Sequence, residues 1–190
     1  FVVEAPESFD GVAPVGTVIA PHAFGRLRGN DAARRTGIAF FDADAKAVLT
    51  WLREQTEVDE QRLGAIGFCI GGHLAFRAAL RPEVRATACL YPTGLQNGKL
   101  GRGIADSLQR AGEIKGALFT LFGSEDPHVP AEDREQVLEA LRGLRHETVL
   151  FEANHTFMRD DGWRWDPDLA DQAWAAVITF LRRELSPAQP

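Results

Sequence analysis

A cysteine flanked by glycines is the residue of this chain whose surroundings point most directly to chemistry. The stretch GAIGFCIGGHLAF, residues 64–76, ends an apolar run and continues at once into a helix-compatible segment. Gly67-x-Cys69-x-Gly71 has the form of a nucleophile elbow, a sharp strand-to-helix turn whose neighbouring side chains must be small to avoid collision. The pattern predicts Cys69 as a thiol nucleophile whose pKa the helix N-terminus lowers. It also predicts that the N–H of Ile70 forms one half of an oxyanion hole.

The same cysteine is compatible with a purely structural role. Free cysteine is among the most buried residue types, so Cys69 also fits an inert position in a glycine-rich helix start. Cys89 lies in the middle of the apolar run ATACLY and is interpreted as a core residue. A reactive thiol therefore needs a partner elsewhere in the sequence.

A thiol nucleophile requires a base within hydrogen-bond reach, and His155 is the candidate. His155, in EANHTF, follows the predicted strand Glu147–Phe151. Parallel strands end at one edge of a sheet, so that loop is expected beside Cys69. The sequence places the other four histidines elsewhere. His128 is in a second loop at that edge and His73 is in the first turn after the elbow. His146 begins a strand, and His22 is a possible site-lining residue.

The base must in turn be oriented by a third group, and Asp126 is the candidate acid. It lies in LFGSEDPHVP, after the predicted strand Ala117–Phe122, with Glu125 as its rival. An aspartate before proline is also typical of a simple turn. The order Cys69, Asp126, His155 favours the catalytic interpretation, because nucleophile, acid and base follow one another along the chain in this order in α/β-hydrolases.

The elements that must position these residues alternate between strand and helix patterns. Buried strands are predicted at Arg62–Phe68, Ala86–Tyr91, Ala117–Phe122 and Glu147–Phe151. Helical spacing of apolar residues occurs between them, at 41–52, 74–80, 137–141 and 174–185. This alternation predicts an α/β fold, a mostly parallel sheet with helices on both faces. No linker or repeat divides the chain, so residues 1–190 are predicted to form a single domain.

The N-terminal third carries weaker signals. Gly16–Ala20 reads as a strand and Phe1–Ala5 as a second one. Arg26–Gly37 is polar and basic, which predicts a loop with a short helix at Asp31–Arg35. The terminal residues 186–190 are expected to be frayed.

Composition excludes several classes of function. Of 190 residues, 45% are hydrophobic and 25% charged, as in ordinary soluble globular proteins. The net charge of −6 disfavours nucleic acid or an anionic membrane as the partner, since both select for clustered basic residues. The sequence predicts no signal peptide, and two cysteines are too few for a disulfide scaffold, so a cytoplasmic location is expected. The histidines and cysteines lack the spacing of metal ligands.

Three stretches of the chain, in order, resemble the dienelactone hydrolase family of α/β-hydrolases. They are GFCIGG at the elbow, GSEDPHVP in the acid loop and NHTFMR in the histidine loop. The resemblance implies a thiol-based hydrolase of lactones or small esters, without cofactor or metal, with Cys69 as nucleophile, Asp126 as orienting acid and His155 as base. Some members place an arginine that grips a substrate carboxylate four residues after this histidine, where Arg159 stands. A solvated arginine is the alternative interpretation.

The N-terminal third departs from the family pattern. The segment APHAFG matches either of two family segments, and in both alignments about one strand–helix unit is missing. In the first alignment His22 replaces an acidic residue and the N–H of Ala23 completes the oxyanion hole. The fold is therefore expected to be shortened at this end, as a monomer or a homodimer.

Aromatic residues near these loops are candidates for the walls of a substrate pocket. Phe24, Phe157 and Trp163 are selected, with Trp165 nearby, although aromatics also commonly cap a core. Two functions of other classes remain as alternatives: a thiol redox or peroxide-sensing protein that uses Cys69, and a catalytically inactive binding module on the same fold.

Overall fold

The computed structural model describes residues 2–6, 9, 12–14, 16, 17, 19 and 23–187. Across these residues the chain forms five α-helices and four β-strands. In chain order they are α1 (Ala23–Arg35), α2 (Ile38–Glu54), β1 (Leu63–Phe68), α3 (Ile70–Ala79), β2 (Val84–Leu90), β3 (Ala117–Gly123), α4 (Ala131–Ala140), β4 (His146–Phe151) and α5 (Pro167–Leu185). None of the described helices combines the length and apolarity needed to traverse a bilayer.

The four strands form one parallel sheet in the order β1-β2-β3-β4. Each strand pairs with the next one along the chain, so a crossover must carry the chain back each time. Helix α3 makes the crossover from β1 to β2 and α4 that from β3 to β4, whereas a long loop with a single 3-10 turn, Ala111–Glu113, connects β2 to β3. The four strands predicted from residue 62 onward are all present, with boundaries within two residues of those expected. The predicted α/β architecture with a parallel sheet is confirmed.

Helices cover both faces of this sheet. Successive side chains of each buried strand point to opposite faces, so both faces carry apolar residues that need to be covered. On one face, Ala88 and Leu90 of β2 pack in a cluster with Phe180 of α5. On the other face, Cys89 packs with Phe76 of α3, in a cluster that also includes α4. Cys89 is fully buried, which confirms its interpretation as a core residue.

The chain from residue 26 to 37 differs from the prediction. It was expected to be a loop with a helix only at Asp31–Arg35, but α1 extends over Ala23–Arg35. The polar, basic sequence hides this helix because its buried side is made of the small residues Ala32 and Ala33 rather than of a large apolar stripe. The prediction of a loop is therefore wrong for most of this stretch.

The two N-terminal strands are not found in the described residues. Residues 2–5 form no strand, Gly16 lies in a turn, and Thr17 and Ile19 belong to no regular element. The rest of the predicted strand Gly16–Ala20, and Phe1, lie outside the described residues. The four strands named above all follow residue 62, and the expected shortening at this end stays a prediction.

The connection from β1 to α3 is the turn that carries Cys69. This residue has a φ of 56°, a positive backbone dihedral that residues with a side chain rarely adopt. A Cβ on Gly67 would lie 1.9 Å from the carbonyl oxygen of Gly71, so no side chain fits there. A Cβ on Gly71 itself would meet no atom within 4 Å. Of the two flanking glycines, the fold requires Gly67 on steric grounds.

This difference gives a test of the turn. Gly67→Ala should lower the free energy of unfolding by about 3 kcal/mol, since the new methyl group overlaps backbone that cannot move aside. Gly71→Ala, the matched control, should raise it by up to about 1 kcal/mol, because alanine favours a helix and finds open space. Urea unfolding followed by tryptophan fluorescence measures both. Equal destabilisation by the two variants would contradict the steric account of the elbow.

Candidate active site

Three side chains from three loops meet at the carboxyl edge of the sheet. Cys69 follows β1, Asp126 follows β3 and His155 follows β4. Nε2 of His155 lies 3.1 Å from Sγ of Cys69. On the other side of the ring, Nδ1 lies 2.6 Å from Oδ2 of Asp126. The sulfur, the imidazole and the carboxylate thus form a continuous hydrogen-bonded relay between residues far apart in the sequence.

Asp126 is held so that its carboxylate cannot turn away from the imidazole. Its side chain is almost completely buried, and its second oxygen, Oδ1, accepts a hydrogen bond of 2.8 Å from the backbone N–H of His128. The turn geometry expected of an aspartate before proline and its place in the relay are therefore compatible. One oxygen shapes the loop and the other accepts from Nδ1 of His155, which fixes the tautomer of that ring.

The loops after β3 and β4 are bonded directly to each other. The N–H of Ser124 donates to the carbonyl of Phe151 over 2.8 Å, and that of Glu125 donates to the carbonyl of Ala153 over 3.0 Å. This close approach depends on Gly123, since a Cβ there would lie 2.2 Å from the Ala153 carbonyl oxygen. Gly123 was not singled out in the sequence, although a glycine at the end of a strand is a recognisable signal of close backbone approach.

The electrostatics of the relay favour an ion pair. Burial acts to raise the pKa of the Cys69 thiol, but the hydrogen bond and positive charge of His155 and the contact with the Ile70 N–H help to outweigh it, and the pKa is lowered. Burial acts to lower the pKa of His155, but Asp126 and Cys69 outweigh it and raise this pKa to about 9. Both shifts favour transfer of the thiol proton to the imidazole, that is, a thiolate beside an imidazolium.

Two aromatic rings pack against His155: Tyr91 was not predicted near the site, and His128 was predicted only in a loop at the same edge. The ring of Tyr91, which follows β2, meets the imidazole edge-on at 5.2 Å between centroids. Tyr91 is buried, which raises the pKa of its hydroxyl, and its backbone has a positive φ of 40°. The ring of His128 lies 4.6 Å from the imidazole on a T-shaped geometry. Burial, followed by the charge of His155, lowers the pKa of His128.

The predicted substrate-binding residues are spread over different environments. Arg159 is ion-paired with Asp161 at the surface. Trp163 is 82% exposed and stacks on the guanidinium of Arg164 at 4.5 Å. Phe157 is buried and packs between Tyr91 and Phe151.

The remaining predicted residues that the structure describes lie at the start of α1 or of α3. Phe24 is 66% exposed on this helix. His22 lies outside the described residues. Ala23 is the first residue of α1, and the role predicted for its N–H in the oxyanion hole stays a prediction. Ile70 begins α3, where a helix N-terminus stabilises negative charge, and its N–H contributes to the lowered pKa of the Cys69 thiol.

The chain resembles known proteins over most of its length. The model of the dienelactone hydrolase family matches residues 17–185. A protein of Saccharomyces cerevisiae named "Putative carboxymethylenebutenolidase" is 33% identical over 166 residues, which cover 83% of this chain and 61% of that protein. The carboxymethylenebutenolidase of Rhodococcus opacus is 28% identical and is matched over 67% of this chain and 52% of its own length. The chain thus spans about three-fifths or less of these relatives.

The fold also matches solved structures. A dienelactone hydrolase-like promiscuous phosphotriesterase from metagenomic libraries superimposes with a TM-score of 0.67 at 21% identity, over 88% of this chain and 69% of that one. At this identity the likeness concerns the α/β-hydrolase fold. The family match covers far more than half of the sequence and includes the elbow and both loops that meet it. The chain belongs to the dienelactone hydrolase family.

Proposed function

We propose that this protein is a cysteine-dependent hydrolase of small esters or lactones that works through a thioester intermediate. The observation that carries the proposal is the 3.1 Å contact between Nε2 of His155 and Sγ of Cys69, made by a sulfur held on a strained turn. Family membership supports the same reaction class, since relatives carry the name of a lactone hydrolase.

In the first half-reaction, the Cys69 thiolate attacks the carbonyl carbon and forms a C–S bond, while the carbonyl electrons move to oxygen. Backbone N–H groups, of Ile70 and in our proposal Ala23, stabilise that oxyanion. The C–O bond then breaks, and the imidazolium of His155 gives its proton to the departing alkoxide. A thioester remains on the enzyme.

In the second half-reaction, water hydrolyses the thioester. Neutral His155, oriented by Asp126, takes a proton from water as it attacks the acyl carbon. Collapse of the second tetrahedral species breaks the C–S bond, releases the acid and leaves the thiolate beside the imidazolium. The relay then stands as it began.

Removal of either partner in the relay should abolish this chemistry. With p-nitrophenyl acetate or a dienelactone as substrate, Cys69→Ala should reduce kcat/KM by about 10⁴-fold or more and His155→Ala by about 10²- to 10⁴-fold. Cys89→Ala serves as the matched control, because that thiol is fully buried in the core; it should retain turnover. Initial rates under saturating and limiting substrate measure these effects.

The outcomes distinguish the alternative functions. Turnover that survives Cys69→Ala would reject the nucleophile. A parent protein without turnover whose Cys69 is oxidised reversibly by peroxide would instead favour a sensor. Absence of both turnover and oxidation would favour a binding module.

The raised pKa of His155 predicts an alkaline limit of activity. The imidazolium must protonate an alkyl alkoxide, so kcat/KM for an alkyl ester should fall as the pH rises through about 9, the pKa of His155. Asp126→Asn removes a hydrogen bond that raises this pKa, so the same limb should move to lower pH. The measurement is the pH profile of kcat/KM for the parent and for Asp126→Asn. A fall in kcat/KM at the same alkaline pH in both proteins would show that another group limits the reaction.

Arg159, which is now paired with Asp161, is the candidate residue for binding the carboxylate of an anionic substrate. In our proposal Arg159 binds the substrate carboxylate, so Arg159→Met should raise KM for a carboxylated lactone about tenfold and leave p-nitrophenyl acetate unchanged. Asp161→Asn frees the guanidinium and should lower that KM. Arg142→Met, which removes another exposed, ion-paired arginine, is the control. Equal KM values in all variants would leave Arg159 as a solvated residue.

A further inference from the structure

Thr93, in the loop after β2, contacts Cys69 through both backbone and side chain. Its N–H donates to the carbonyl oxygen of Cys69 over 3.2 Å. Its hydroxyl oxygen lies 3.7 Å from Sγ, within the longer reach of a hydrogen bond to sulfur. Neither the family motifs nor the relay with His155 includes this residue.

A buried histidine holds Thr93 from the opposite side. His73 of α3 is fully buried, with Nδ1 3.2 Å from the carbonyl oxygen of Thr93 and Nε2 2.7 Å from Oγ of Ser107. Burial lowers the pKa of His73 to about 4, so the ring is neutral and carries one proton. A carbonyl only accepts hydrogen bonds, so that proton is on Nδ1, and Nε2 accepts from the Ser107 hydroxyl.

The series of hydrogen bonds continues from Ser107 to an arginine. Ser107 gives its proton to His73, so its lone pairs are available to Nη1 of Arg77 at 3.1 Å. Arg77 is fixed by Asp42, which accepts at 2.7 and 2.6 Å, and by Asp106 at 2.9 Å. In this series each group donates to the next: Arg77 to Ser107, Ser107 to His73, and His73 to the Thr93 carbonyl. The position of Thr93 therefore depends on these buried residues.

We propose that Thr93 donates a hydrogen bond to the Cys69 thiolate, and that the buried relay from Arg77 through Ser107 and His73 keeps its hydroxyl in place. A thiolate has no proton to give, so the hydroxyl must be the donor in this state. A partly buried anion needs several donors, and His155 and the Ile70 N–H supply the others. This inference rests on the nucleophilic role proposed for Cys69.

The pKa of the Cys69 thiol tests the proposal independently of ester hydrolysis. It is obtained from the pH dependence of alkylation by iodoacetamide. Alkylation is expected at Cys69 because Cys89 is fully buried, and mass spectrometry of the modified peptide checks this. Thr93→Val keeps the shape and removes the hydroxyl, and should raise the thiol pKa by about one unit, or about tenfold less thiolate at a given pH below it. Thr93→Ser retains the donor and should keep the pKa of the parent.

Thr87→Val is the matched control. Its hydroxyl is also buried, on β2, but has no hydrogen-bond partner among the described residues, so its loss should not shift the thiol pKa. The other titratable groups that face the sulfur, His155 and Tyr91, are the same in every variant. Should Thr93→Val fail to fold, Thr93→Ser against Thr93→Ala makes the same comparison.

Two results would overturn the proposal. An unchanged thiol pKa in Thr93→Val would show that the hydroxyl gives the thiolate no hydrogen bond. Equal shifts in Thr93→Val, which loses the hydroxyl, and Thr93→Ser, which keeps it, would assign the effect to altered packing rather than to a hydrogen bond. A protein that hydrolyses no ester but shows the predicted pKa pattern would refute the proposed function and leave the hydrogen bond standing.

Discussion

The hydrogen bond between the sulfur of Cys69 and the imidazole of His155 is the interaction on which the site depends, and the fold makes it possible in two ways. Parallel strands bring the loops after β1, β3 and β4 to one edge, so residues 86 positions apart meet at 3.1 Å. The positive φ of Cys69 then lifts the sulfur out of the path that an extended strand would follow. That conformation has a cost in backbone energy, and the absence of a side chain at Gly67 keeps the turn free of collision.

Burial and hydrogen bonding act in opposite directions on this pair, and their balance decides its charge. Removal from water disfavours both a thiolate and an imidazolium, so burial alone favours the neutral form of each. The partners reverse this outcome: Asp126 and the thiolate raise the pKa of His155, while the imidazolium and neighbouring donors lower the pKa of Cys69. A carboxylate with both oxygens engaged, one by the ring and one by the backbone of His128, keeps the imidazole in the orientation that this requires. The charge state is thus a property of the whole arrangement.

Sequence patterns were informative wherever local chemistry determines the structure. The glycines around Cys69 and the short apolar runs predicted the turn and the four strands, because sterics and burial act over a few residues. Helix α1 was predicted only at Asp31–Arg35, because its buried side consists of alanines, which give no apolar stripe. Tyr91 and Thr93 were missed for a different reason: each acts through a contact with a residue on another strand or loop, and nothing in its immediate neighbourhood marks it. The ion pair of Arg159 with Asp161 likewise depends on how the loop after His155 folds.

The position of β1 in the sheet shows how the backbone of the nucleophile is held in place. Among the described strands β1 is an edge, and Phe68, the residue before the nucleophile, is 37% exposed. Yet the turn is tied from the opposite side: the N–H of Cys69 donates to the carbonyl of Leu90 over 3.0 Å, and its carbonyl accepts from Thr93. Because β2 and its loop hold the backbone of the nucleophile, while β3 and β4 supply acid and base, the described residues complete the relay. Whatever lies beside the open edge of β1 therefore bears on substrate access and strand protection rather than on the geometry of sulfur and imidazole.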